Sequence, residues 1–193
     1  MSEIKINRQN VGRISERIVA NELEARGFRV SDLNKEGLSA NADLIAAKAG
    51  QTLQIQVKGA TWDRGWWWNY GYCKDGHLDK TIPIFNSASG FYMARVVVLV
   101  SVKSPTEYRC LVLPVEKAEE AAQLNLDHGF RPPKRDGSKR KPGKAWIALE
   151  YYPVPRDEHL RLVLKAEQEL LKPFADNWCL FDELLSAGEF AHA

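Results

Sequence analysis

Leu53, Ile55 and Val57 alternate with Gln54, Gln56 and Lys58. A period of two places the apolar three on one face of a strand and the polar three on the other. The segment before it, Ala42-Asp43-Leu44-Ile45-Ala46-Ala47, is apolar except for Asp43, and Lys48-Ala49-Gly50-Gln51 supplies a turn between the two. The pattern predicts an antiparallel hairpin that brings Asp43 near the Gln56 to Lys58 end. Upstream, residues 12–26 read as a helix closed by Gly27 at its C′ position, followed by extended Phe28-Arg29-Val30. On a helical wheel Glu16 falls with Val19, Ala20 and Leu23, while Val11, Ile14, Ile18 and Ala25 form a second apolar stripe. Glu16 is therefore expected on a packed side, whereas Glu24 groups with Arg13 and Arg17. An inward-facing carboxylate needs a cation or a hydrogen-bond partner, because an isolated buried charge is very costly.

Later segments supply the rest of a sheet. Residues 94–102 read as a buried central strand and 108–115 as its neighbour, ending at Pro114, with Ser104-Pro105-Thr106 as the turn. A helix is predicted over 116–124 and a strand over 145–151. Leu160, Val163, Leu164, Leu170 and Leu171 give 156–172 a helical period, stopped at Pro173, and a last helix starts near Asp176-Asn177. Periodicity thus predicts an α/β or α+β chain with a mixed sheet flanked by helices. At 193 residues and 45% apolar content, the chain is expected to form one domain.

The order Glu16, Asp43, tight turn, Gln56-x-Lys58 resembles the PD-(D/E)XK nuclease superfamily, in the variant with glutamine in place of the second acid. The resemblance covers residues 11–60. It implies a restriction-endonuclease-like α/β core with a central mixed sheet, and a divalent-metal-dependent deoxyribonuclease, by expectation an endonuclease, using Mg2+ or Mn2+ and no organic cofactor. Glu16, Asp43 and Gln56 would hold the metal and Lys58 would assist hydrolysis, with the Val57 carbonyl as a further ligand. The residue types suit the chemistry. Magnesium takes hard oxygen ligands and keeps several waters, so one or two carboxylates, a neutral carbonyl oxygen and a substrate phosphate suffice. A compact ammonium such as Lys58 can orient a water or offset charge in the transition state.

A net charge of +2 is too small to argue for nucleic acid, but its distribution is uneven. Arg131, Lys134, Arg135, Lys139, Arg140, Lys141 and Lys144 accompany only Asp136 between 131 and 144, a local charge of +6 that leaves −4 for the remainder. With Pro132, Pro133, Gly137, Pro142 and Gly143, this segment is expected to be a loop that follows DNA phosphates; a solvated insertion is the alternative. Cys73, Cys110 and Cys179 are too widely spaced for a zinc framework, and His77, His128, His159 and His192 show no metal-ligand spacing. The polar start Met1-Ser2-Glu3 and the lack of a membrane-length apolar run lead to the expectation of a soluble, cytoplasmic protein.

Trp62, Trp66, Trp67, Trp68, Tyr70 and Tyr72 crowd into one segment. They can stack on bases, but packing or a homodimer contact is the preferred reading for most of them. The expected organisation is a single nuclease-like domain over 1–193, with its core motif at 11–60, an aromatic-rich insertion at 61–90, the basic loop at 131–144 and C-terminal helices over 156–186. Two other functions stay open: a catalytically degenerate nucleic-acid-binding module of the same fold, and an interaction protein that assembles through the aromatic cluster.

Overall fold

The computed structural model describes residues 8–33, 42–61, 67–74, 77–78, 94–130, 143–149 and 158–188. Helix α1 (Arg8–Glu24) leads into β1 (Arg29–Asp32), then β2 (Leu44–Lys48) and β3 (Gln51–Thr61). After β4 (Trp67–Lys74) and β5 (His77–Leu78), the chain forms β6 (Val96–Ser104), β7 (Glu107–Pro114) and α2 (Val115–Phe130). It closes with β8 (Gly143–Ala148), α3 (Glu158–Leu171), a 3-10 turn (Lys172–Phe174) and α4 (Leu180–Gly188). A five-stranded mixed sheet has the order β1-β2-β3-β6-β7, in which only β3 and β6 run parallel; a three-stranded sheet has the order β5-β4-β8.

The apolar run from Val96 to Val100 makes β6, between β3 and β7, a strand covered on both faces, and all five of these residues are buried. Val96, Val98 and Val100 pack with Leu53, Ile55 and Val57 of β3 against Ile18, Val19 and Leu23 of α1 and Phe181 of α4. On the other face, Val97 and Leu99 join Leu111, Leu113, the alanines of α2, Ile147 of β8, and Trp68 and Tyr70 of β4. The mixed sheet flanked by helices expected from periodicity is thus present.

Several boundaries differ from the periodic pattern. α1 begins at Arg8, before the first apolar position, and α2 runs past Leu124 to Phe130, carrying Leu126 into the core. α4 starts at Leu180, after the turn in which Asp176 takes a positive φ. Gly143 and Lys144, placed by sequence at the end of the basic loop, belong to β8, where Lys144 lies opposite Tyr72. Most of the aromatic segment forms β4, in which Trp68 and Tyr70 are about 1% exposed. The Trp68 indole N–H donates to the Val100 carbonyl oxygen at 3.0 Å, tying the second sheet to the first.

The end of α1 shows how local sequence aims the chain at the site. Gly27 takes φ 83°. The Gly27 N–H donates to the Glu24 carbonyl at 3.0 Å and the Phe28 N–H to the Leu23 carbonyl at 3.1 Å, the two bonds of a Schellman motif, with Phe28 and Leu23 in one core. The hairpin turn is equally specific: Ala49 at φ 52° and Gly50 at φ 80° sit between paired Lys48 and Gln51, the two left-handed positions of a type I′ turn.

Candidate metal and phosphodiester site

Asp43 sits one residue before β2, where that strand departs from β3. Three contacts pin it. The Asp43 N–H donates to the Ile55 carbonyl at 2.9 Å, the Leu33 N–H donates to the Asp43 carbonyl at 3.0 Å, and the Val57 N–H donates to Asp43 Oδ2 at 2.8 Å. The carboxylate thereby takes over the edge of β3 just where backbone pairing with β2 ends. Gln56 Nε2 donates to the same Oδ2.

Gln56 and Lys58 project from the opposite face of β3 to Leu53, Ile55 and Val57, as the alternation predicted. Gln56 is 8% exposed and Lys58 is half-buried. Burial disfavours the charged form of Lys58 and lowers its pKa below the usual lysine value, while the nearby carboxylates of Asp43 and Glu16 pull it back up. Glu16, half-buried on α1, is thus an electrostatic neighbour of the same ammonium. The structure brings Glu16, Asp43, Gln56 and Lys58 into one neighbourhood, built entirely from α1 and the β2–β3 hairpin.

What holds α1 there is a contact that the residue pattern did not reveal. Ser15 is fully buried and its hydroxyl donates to the Val11 carbonyl at 2.8 Å. Gly59 lies directly beneath it, close enough that a side chain would collide. The available signal was Gly59 itself, since a glycine inside a strand marks close backbone approach. Ser15 precedes Glu16 and Gly59 follows Lys58, so this close approach fixes the helix that carries the acid against the strand that carries the ammonium.

Among the described residues no group of three or more His, Cys, Asp and Glu side chains forms a metal-binding cluster. The donor set still fits a hard divalent cation. Asp43 and Glu16 supply carboxylate oxygens, and Gln56, engaged through its nitrogen, keeps its carbonyl oxygen. Lys134, Arg135, Lys139, Arg140 and Lys141 lie outside the described residues, as do Trp62 and Trp66; Lys144 is a β8 residue.

A second buried carboxylate lies apart from this site. Glu167 of α3 is fully buried; the Ala148 N–H donates to its Oε1 at 2.8 Å and Asn125 Nδ2 to its Oε2 at 3.3 Å. Burial pushes its pKa up to about 8 against the pull of those two donors. It joins α3 to the end of β8 and to α2.

Neither a scan against protein-family models nor a search of curated proteins finds a match for the chain. Among solved structures, a bacterial homing endonuclease is similar, with a TM-score of 0.41 and 12% identity over 84% of this chain and 95% of that one. No helix among the described residues is long and apolar enough to cross a membrane.

Proposed function

We propose that this chain is a divalent-metal-dependent deoxyribonuclease of the PD-(D/E)XK kind, an endonuclease on a restriction-endonuclease-like core. One observation carries the reading: half-buried Lys58 lies within electrostatic reach of both Asp43 and Glu16, while Gln56 and the Val57 N–H grip the Asp43 carboxylate. Glu16, Asp43 and the Gln56 carbonyl oxygen would hold Mg2+ or Mn2+. When bound, such an ion supplies Lewis acidity toward the phosphoryl oxygen and a more acidic water.

The chain's own residues do the rest. Gln56 and the Val57 N–H fix the rotamer of Asp43, so that its carboxylate is presented without reorganisation. Lys58, whose pKa is lowered by burial and raised in part by the two carboxylates, donates hydrogen bonds to a water or to the anionic oxygens of the phosphodiester. The basic segment 131–144, with Lys134, Arg135, Lys139, Arg140, Lys141 and Lys144, would add affinity for the DNA backbone.

Purified protein incubated with supercoiled plasmid, branched DNA and single-stranded DNA, in magnesium, manganese and EDTA, tests this. Cleavage in either metal that disappears in EDTA and in Lys58→Met is the expected result. A second reading rests on the amide of Gln56, which occupies the place of a second acid and leaves two carboxylates at the site: a DNA-binding module that does not cut. Equal binding in EDTA and magnesium with all substrates intact would select it and sink the nuclease. Assembly through the aromatic cluster loses support from Trp68 and Tyr70, which the core consumes.

A further inference from the structure

We infer that the exposed face of α1 that carries Arg13 and Arg17 is the surface along which the DNA backbone lies as it enters the site. This rests on the nuclease reading above for the identity of the polymer, but the placement comes from the helix. Arg13 and Arg17 are both exposed and stand one turn apart on one face, separated by about 6 Å along the axis. Two neighbouring phosphates of one strand can occupy that spacing. Glu16, which faces Lys58, lies between them in sequence and is the sole acid of α1 before Glu22.

Gly12 lies one turn before Glu16 on the same face, and a β-carbon placed there would meet nothing within 4 Å among the described residues. A strand lying in that space would have the arginines along one side and the carboxylates ahead of it. Flanking cations offset a repulsion there, because a phosphodiester approaching Glu16 and Asp43 is repelled by both.

Like charges at this spacing weaken a helix. Among the described residues, Arg26, Lys48, Lys103, Lys117 and Lys165 each lie against a carboxylate, whereas Arg29, Arg95, Arg161 and Lys172 do not. No hydrogen bond or ion pair to Arg13 or Arg17 is found among the described residues. A guanidinium is also suited to phosphate, since its planar fork gives two parallel hydrogen bonds. Rigid placement follows from the contact between Ser15 and Gly59, which fixes α1 against β3 between the two arginines.

The test is duplex DNA binding in EDTA across a salt series, for the wild type, Arg13→Gln/Arg17→Gln, Arg13→Lys/Arg17→Lys, and Arg161→Gln as a control on the exposed side of α3. Loss of two phosphate contacts should lower the logarithmic salt slope by up to about 1.8 in the glutamine variant. The lysine variant should keep the slope, and the control should match the wild type. A glutamine variant with wild-type slope and affinity overturns the proposal, and so does a lysine variant that loses as much as the glutamine one, since that would mark a structural role. Cleavage separates the two claims. Protein that binds but never cuts, with the slope lost in the glutamine variant, removes the nuclease and leaves the surface. Protein that cuts with an unchanged slope in the glutamine variant removes the surface alone.

Discussion

Ser15 and Gly59 are in contact so close that a β-carbon on Gly59 would stand 2.3 Å from the Ser15 hydroxyl oxygen and 3.0 Å from the Val11 carbonyl oxygen. Their sequence neighbours are Glu16 and Lys58, so the packing of two small residues holds the helix bearing the acid against the strand bearing the ammonium. Gly59→Ala should cost about 1–3 kcal/mol through overpacking and should reduce cleavage by more than the loss of folded protein explains. Adding Ser15→Gly should recover part of the stability, since it removes the hydroxyl but leaves the Val11 carbonyl. Urea unfolding and single-turnover cleavage measure the two effects; a fully stable, fully active Gly59→Ala would show that α1 is free to shift without consequence.

Asp43 has a structural task as well as a proposed chemical one. Asp43→Ala leaves the Val57 N–H and the Gln56 amide without their acceptor, and should destabilise by about 1–3 kcal/mol. Asp43→Asn keeps an oxygen for the Val57 N–H and should retain most of the stability while abolishing cleavage. Thermal melts in EDTA beside plasmid assays in manganese give both numbers, and an asparagine variant that cuts like the wild type would remove Asp43 from the chemistry.

Gln56→Glu replaces the amide donor to Asp43 Oδ2 with a second carboxylate. Without metal the two acids repel, and one takes up a proton above the usual carboxylate range. The variant should therefore melt lower than the wild type at neutral pH in EDTA and recover on adding Mg2+ or Mn2+, or at pH below about 5. Calorimetry of metal binding is the complementary measurement. A variant as stable as the wild type in EDTA and indifferent to metal would place residue 56 outside the ligand set.

Glu167 gives the fold a dependence on pH unrelated to the site. Its native pKa of about 8 lies above the ordinary value of 4.5, so the native protein binds this proton more tightly than the unfolded chain does. Stability from this group is therefore full below pH 4.5 and declines as pH rises to about 8. Glu167→Gln keeps an acceptor for the Ala148 N–H and should remove that decline. Urea midpoints at pH 5, 7 and 9 decide it: parallel curves for the two proteins would mean that Glu167 is charged throughout.

The half of the molecule that builds the site was legible because its signals are local. Leu53, Ile55 and Val57 alternate with polar residues, Gly27 closes α1 and a two-residue turn joins β2 to β3, so placement of Asp43 beside Gln56 followed from short-range rules. What local rules do not encode is long-range pairing. Nothing near Trp68 or Tyr70 announces β8 as the partner of β4, so a segment that places two large side chains in a second core reads as an aromatic insertion. The orientation of the Gln56 amide was hidden for a different reason: the residue type offers a donor and an acceptor, and only the position of Asp43 Oδ2 selects the nitrogen. Glu167 gave no signal, since it reads as one more exposed glutamate of an amphipathic helix.

The parallel pairing of β3 with β6 has a kinetic consequence. α1, β1, β2 and β3 follow one another without interruption from Arg8 to Thr61 apart from one connection, and their contacts close over short spans. Joining β3 to β6 requires the whole segment from 62 to 95 to be looped out first, at an entropic cost that precedes any reward. Refolding should therefore be limited by capture of β6: truncations at Val98 should slow folding, whereas truncations at Ile45 should mainly speed unfolding, as stopped-flow chevrons can show. The hairpin would then acquire its carboxylate and amide contacts while still solvated, and the ammonium of Lys58 would be desolvated last.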